Sequence, residues 1–313
     1  MTRSSAPEPS RDNDTADETA APHDTLPCVL SFNASDPTGA GGVVSDAMVI
    51  ASIGAHALPV ITGAYVRDTR EIMGHASLGD DAVAEQAGAV AEDIPLHAIK
   101  IGFVGSAEAV AAIAAFVSDY PAVPVVAYMP DLSWWSEDEI DNYLDAFREL
   151  LLPQVAVLVG NNTTLRHWLL PESTTDRRAR ATDLARAAGE LGVSYVLVTG
   201  IPAVGDQLGN VLASAQGELF SQSYERIDAG FLGAGDILSA ALTALIATGS
   251  ELTEAVAEAL QYLDQALDHG FRPGMGRAVA DRLFWAESDD ADSADDGAPP
   301  SFDIPHPFNE TKH

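Results

Sequence analysis

PCVLSFNASDPTGAGGVVSDAMVIASIGAHALPVIT, residues 27–62, carries the pattern that decides the fold. A short apolar run, Pro27–Phe32, meets a polar glycine-rich turn, SDPTGAGG from Ser35 to Gly42, which opens an apolar helical stretch from Gly42 to Ile53. Gly54 punctuates that stretch, and a second apolar run follows at Leu58–Thr62. Strand, helix and strand in this order form a βαβ unit, whose two strands are parallel.

The same alternation continues along the chain. Further strands are expected at Ala98–Phe103, Pro124–Tyr128, Val155–Val159 and Tyr195–Thr199, and a hairpin at Asn210–Ser214 and Leu219–Tyr224. Helices are expected at Asp80–Glu92, Ala107–Ser118, Glu137–Leu151, Arg178–Leu191, Ala234–Thr248 and Leu252–His269. With 313 residues, 47% of them hydrophobic, one α/β domain over 27–286 accounts for the core. The segments 1–26 and 287–313, rich in Ser, Asp, Pro and Ala, have too little apolar content to offset the entropy of ordering and are expected to be disordered acidic tails.

A formal net charge of -31 excludes a nucleic-acid partner and an anionic membrane surface, both of which need clustered Lys and Arg. Lys100 and Lys312 are the only lysines. The single cysteine, Cys28, permits no intrachain disulfide. The N-terminal segment lacks the apolar stretch of a signal peptide and no run has the length of a membrane span, so a cytoplasmic protein is expected. His56, His75, His97, His167 and His269 form no i,i+4 pair, and no residue is assigned as a metal ligand.

Two stretches can carry chemistry. The turn Ser35–Gly42 lets backbone approach a ligand closely at a helix N-terminus, although alone it also reads as a tight strand-to-helix turn. It is neither a Walker A loop nor a dinucleotide fingerprint. The second stretch is GAGD, Gly233–Asp236, ahead of the apolar helix ILSAALTALIA. Gly233, Ala234 and Gly235 can align N–H groups around negative charge developing on a phosphoryl group. An acid beside such an anion hole repels phosphate, so Asp236 is explained as a general base taking a proton from an attacking hydroxyl, or simply as a first-turn acid favoured by the helix dipole.

These two stretches on a βα framework resemble the ribokinase-like superfamily. Within it the chain is most similar to the hydroxymethylpyrimidine and phosphomethylpyrimidine kinases of thiamine biosynthesis. ASDPTGAGG (Ala34–Gly42), IKIGFVG (Ile99–Gly105), RELLLP (Arg148–Pro153), YVLVTG (Tyr195–Gly200), GAGD, GFRPGMG (Gly270–Gly276) and DRLFWA (Asp281–Ala286) carry the resemblance. It implies an α/β, ribokinase-like fold with a mostly parallel central sheet flanked by helices on both faces. It also implies ATP and Mg2+, a small-molecule substrate and a homodimer. Asp36, Gly39, Gly41, Asp46 and Arg67 then fall on the substrate side, and Asn161, Thr199 and Gly200 on the nucleotide side.

Departures from the family pattern lie at the chemistry. Met129 and Thr164 stand where acids are usual, and Arg67 where the family has Gln or Glu. Arg67 has donors only, which suits an anion such as a substrate phosphate; a surface pairing with Asp68 or Glu71 is the other reading. Asp236 replaces the cysteine of thiamine-pathway members by the aspartate usual in sugar and pyridoxal kinases, leaving a pyridoxal-type kinase or a non-catalytic ligand-binding relative as alternatives. Trp134 and Trp135 either shield a pocket or pack locally, and Lys100 is expected to pair structurally with an acid.

Overall fold

The computed structural model describes residues 26–170 and 179–286. Apart from Leu26, the two expected tails lie outside these residues, as does Arg178, where a helix was expected to start. A nine-stranded sheet runs through the molecule in the order β3-β2-β1-β4-β5-β6-β7-β8-β9. Its strands are β1 (Cys28–Ser35), β2 (His56–Arg67), β3 (Ile72–Ser77), β4 (Ala98–Ile101), β5 (Val125–Met129), β6 (Val157–Asn161), β7 (Tyr195–Pro202), β8 (Gln207–Ser214) and β9 (Gly217–Glu225). All pairings from β2 to β7 are parallel; β3, β8 and β9 are added antiparallel at the edges.

Period-2 alternation sends successive residues of each strand to opposite faces. On β1, Val29 packs against α1 (Gly42–Ile53), α7 (Ala234–Ala247) and α8 (Leu252–Asp268), whereas Leu30 and Phe32 face the cluster covered by α2 (Asp80–Ala91), α3 (Ala107–Ser118), α4 (Glu137–Ala146), α5 (Asn162–Leu169) and α6 (Ala181–Glu190). Both faces of the central strands are therefore buried, which explains their near-continuous apolar runs. Helix α7 is apolar on every side because it lies in the core, and only its N-terminus reaches a ligand-accessible surface.

Several elements differ from the sequence expectation. β2 continues to Arg67 and hairpins into β3, α4 ends at Ala146 and gives way to a π-helical turn over Phe147–Leu151, and α5 is an additional short helix. A two-stranded parallel pair, β10 (Phe231–Leu232) and β11 (Ala278–Val279), ties the GFRPGMG segment to the entry of α7. From β1 the chain crosses to β2 on one side and returns to β4 on the other. The crevice beyond the carboxyl ends of β1 and β4 is thus a topological switch point, where doubly wound sheets bind ligands.

Candidate active site

At that crevice the turn after β1, the ends of β2, β5, β6 and β7, and the start of α7 enclose a cavity of about 640 Å3. Asp36, Gly41, Arg67, Asn161, Thr199 and the run Gly233–Asp236 all line it, so most residues singled out in the sequence meet around one space. Gly200 lines an adjoining cavity of about 220 Å3 that shares Asn161 and Thr199 with the first. Gly39 instead shapes the turn, donating its N–H to the Asp36 carbonyl at 3.0 Å. Asp46 lies behind the cavity wall, completely buried, so its carboxylate makes no direct contact with the cavity.

Gly233 enters α7 at φ 74°, and no side chain caps that helix. Its first N–H groups, at Ala234, Gly235 and Asp236, have no intrahelical acceptor and face the cavity end of the helix dipole, an arrangement suited to anionic oxygen. The open face of Gly235 is covered by Tyr128, since a Cβ there would lie 2.2 Å from the Tyr128 Cζ. The phenol hydroxyl consequently sits at the rim of the anion hole, kept protonated by burial and by the charge of Asp236.

Asp236 is tightly held. Oδ1 accepts from Asn33 Nδ2 and from Lys100 Nζ, each at 2.8 Å, while Oδ2 accepts only from the Gly42 N–H at 3.2 Å. Burial opposes ionisation of this carboxyl, yet the Lys100 ammonium and the Gly42 and Asn33 donors outweigh it and hold Asp236 below the usual carboxylate range. Lys100 is fully buried and also bonds both oxygens of Asp46, at 2.8 Å each. The expected structural pairing of Lys100 with an acid is present, but one partner is the proposed base itself.

Arg67 lines the cavity, and its partner is neither Asp68 nor Glu71 through a surface ion pair. Its Nη1 lies 3.4 Å from Asp36 Oδ2, and its guanidinium lies over the Tyr65 ring at 5.9 Å. Asp36 Oδ1 accepts from the N–H and hydroxyl of Thr38. Arg70 and Arg277 join Arg67 at the cavity; Arg277 is brought there because its N–H and that of Gly276 bond to Thr69. Neither residue was singled out in the sequence, where nothing marks distant arginines as neighbours. Trp134 fulfils both readings offered for it, lining the cavity while packing on Tyr65 and stacking with Trp135.

Met129 is buried in the core and Thr164 lies on α5, so neither restores the missing acids. Asp131 does line the cavity, with Oδ1 accepting from the Ser133 N–H at 2.9 Å. Among the described residues no group of three His, Cys, Asp or Glu can hold a metal ion. Asp131 would be available to a hydrated divalent cation, for which these residues form no protein cage.

Residues 36–281 match the model of the family described as phosphomethylpyrimidine kinase. A hydroxymethylpyrimidine/phosphomethylpyrimidine kinase of Streptomyces coelicolor is 28% identical over 265 residues, 84% of this chain and 96% of the relative. Two solved structures share the fold. Bacillus subtilis pyridoxal kinase, as an ADP complex, has a TM-score of 0.74 at 21% identity, with 83% of this chain and 99% of that one covered. Phosphomethylpyrimidine kinase from Clostridium difficile has 0.62 at 23% identity, with 76% and 100% covered. Because the match to the family model runs from Asp36 in the glycine-rich turn past the head of α7 and covers most of the chain, this chain belongs to the phosphomethylpyrimidine kinase family.

Proposed function

We propose that the protein phosphorylates hydroxymethylpyrimidine, its monophosphate, or both, at the expense of ATP in thiamine biosynthesis. The observation that carries this reading is the half-satisfied carboxylate of Asp236 beside the uncapped start of α7, on the wall of a cavity large enough for a small heterocycle and a triphosphate tail. With the alcohol as substrate, Asp236 Oδ2 accepts the proton of the hydroxyl as that oxygen bonds to the γ-phosphorus; with the monophosphate, an anionic phosphate oxygen attacks and no proton is taken. The bond from the γ-phosphorus to the bridging oxygen breaks, and ADP leaves. The N–H groups of Ala234, Gly235 and Asp236 receive the charge that develops on the transferring oxygens. Mg2+, when bound with ATP, neutralises phosphate charge. A homodimer in the cytoplasm belongs to the same proposal, by analogy with the family.

A pyridoxal-type kinase is the second reading, favoured by aspartate at position 236 where thiamine-pathway members have cysteine. A ligand-binding relative without turnover is the third, favoured by Met129 and Thr164. An assay of hydroxymethylpyrimidine, its phosphate and pyridoxal with Mg-ATP separates them. Turnover of a pyrimidine is expected; pyridoxal turnover alone selects the second reading, and binding without turnover the third.

Arg67 bears on which pyrimidine is preferred. Because Asp36 already neutralises it, a neutral alcohol does not strand its charge. A substrate phosphate still gains a charge-assisted hydrogen bond worth roughly 1.5–3 kcal/mol. Arg67→Gln is therefore expected to weaken the phosphate about tenfold or more and the neutral alcohol far less. Calorimetric titration of both ligands checks this, and equal losses or none would remove Arg67 from phosphate recognition.

A further inference from the structure

Lys100 and Asp46 are buried charges for which the phosphoryl-transfer scheme has no use. We propose that they form a charge-balanced pair that positions the catalytic carboxylate: Lys100 anchors Asp236 Oδ1 so that Oδ2 is presented to the substrate hydroxyl, and Asp46 offsets the ammonium so that Asp236 retains the ability to take a proton. This inference deepens the proposed function and rests on Asp236 being the base.

The geometry supports each part. Oδ1 is saturated by Asn33 and Lys100, whereas Oδ2 has one long bond, from Gly42 N–H, and faces the cavity beside Gly41. A Cβ on Gly41 would come within 2.7 Å of that oxygen, so the turn has no side chain between Oδ2 and the ligand space. Asn33 Nδ2 bridges Asp236 Oδ1 and Asp46 Oδ2, and Ser31 Oγ donates to Asp46 Oδ2, fixing the second carboxylate in turn.

Charge balance decides why two acids surround one lysine. A single buried Lys100–Asp236 pair would be neutral, and protonating Asp236 would strand an ammonium in the core, which is strongly penalised. With both carboxylates ionised the trio carries one net negative charge, which a proton taken from the substrate neutralises. Removing the proton acceptor's anchor and removing its counterweight should therefore act in opposite directions.

The other groups facing Asp236 do not compete. Tyr128 on β5 and Tyr65 on β2 are held protonated, chiefly by burial, and Asp36 in the glycine-rich turn is neutralised by Arg67. The Lys100 ammonium itself stays charged, since the two carboxylates outweigh the effect of burial. Asp46 is raised by burial and by the charge of Asp236, only partly offset by Lys100, which is the mark of coupled carboxylates.

The test is the pH dependence of kcat with hydroxymethylpyrimidine and ATP, in wild type, Lys100→Met, Asp46→Asn and the double variant. Wild type is expected to lose activity only below the usual carboxylate range, about pH 4, because Lys100, Gly42 and Asn33 favour the ionised form of Asp236. Lys100→Met should move that acid limb upward by about one pH unit or more. Asp46→Asn should lower kcat at pH 7 about tenfold, by weakening the base, with KM little changed and no upward movement of the limb. If Lys100→Met does not fold, the double variant, which removes both charges together, must show the upward shift. Acid limbs that stay with wild type in Lys100→Met and the double variant, or that rise in Asp46→Asn, would overturn the proposal. Should wild type turn over no pyrimidine, the proposed function fails separately. The Asp236 carboxyl 13C resonance, assigned by Asp236→Asn, then reads the positioning: it must titrate higher in Lys100→Met or the double variant and not in Asp46→Asn.

Discussion

With hydroxymethylpyrimidine as substrate, Asp236→Asn is expected to reduce kcat by about 10²–10⁴-fold while leaving ATP affinity nearly unchanged, the loss typical of removing a positioned general base. The amide can still accept from Lys100 and Asn33 at one atom, so the local structure is retained. Its other end, however, places an NH2 group against the Gly42 N–H and offers the substrate hydroxyl no proton acceptor. Nucleotide binding depends on the helix N-terminus and cavity walls, which the substitution leaves in place. Single-turnover kinetics with an independent ATP titration make the check, and retention of more than about a tenth of the rate would exclude the role. Stability supplies a second readout with a defined sign. A carboxylate whose folded pKa is depressed contributes stability that is present above its unfolded value, 3.8, and lost as pH falls through the folded pKa. The stability gap between wild type and Asp236→Asn should accordingly be full at pH 7 and close below about pH 4.

Alternation of short apolar runs with helical stretches made the parallel core readable, because buried strands and helices must carry those periods whatever surrounds them. Strand β3 was not readable: IMGHAS is a half-exposed edge strand with a glycine inside, and its only sheet partner is β2, so no apolar alternation marks it. The extension of β2 to Arg67 followed from the same hairpin. For the site, GAGD ahead of an all-apolar helix pointed to Asp236 directly, whereas the anchor of that residue required tertiary knowledge. Lys100 reads as one lysine in an apolar strand, and its acids lie 54 and 136 residues away in the chain. At β5, Met129 stands where the family has an acid. Strand alternation turns Met129 into the core and the preceding Tyr128 toward α7, so the functional neighbour was the residue beside the one compared.

Gly233→Ala is expected to be the most damaging single substitution at the site, costing more than about 3 kcal/mol of folding stability together with about 10²-fold or more in turnover. Gly233 holds φ 74°, a left-handed conformation that costs an alanine roughly 1–2 kcal/mol. An added Cβ would also fall 1.9 Å from the Ala40 carbonyl oxygen and 2.5 Å from its carbon, and both atoms belong to backbone with no side-chain freedom to yield. The glycine-rich turn must therefore move away from α7. That displacement pulls the Gly42 N–H off Asp236 Oδ2 and opens the wall shared by base and anion hole, so chemistry suffers along with stability. Gly249→Ala separates the two contributions: this glycine lies just beyond the other end of α7 at φ 92°, with nothing within 4 Å of the added Cβ, and it should incur only the conformational cost of about 1–2 kcal/mol. Urea denaturation and turnover are to be measured on both variants. Equal stabilities, or a Gly233→Ala protein that turns over at the wild-type rate, would show that the turn and α7 are not held in the contact on which the site depends.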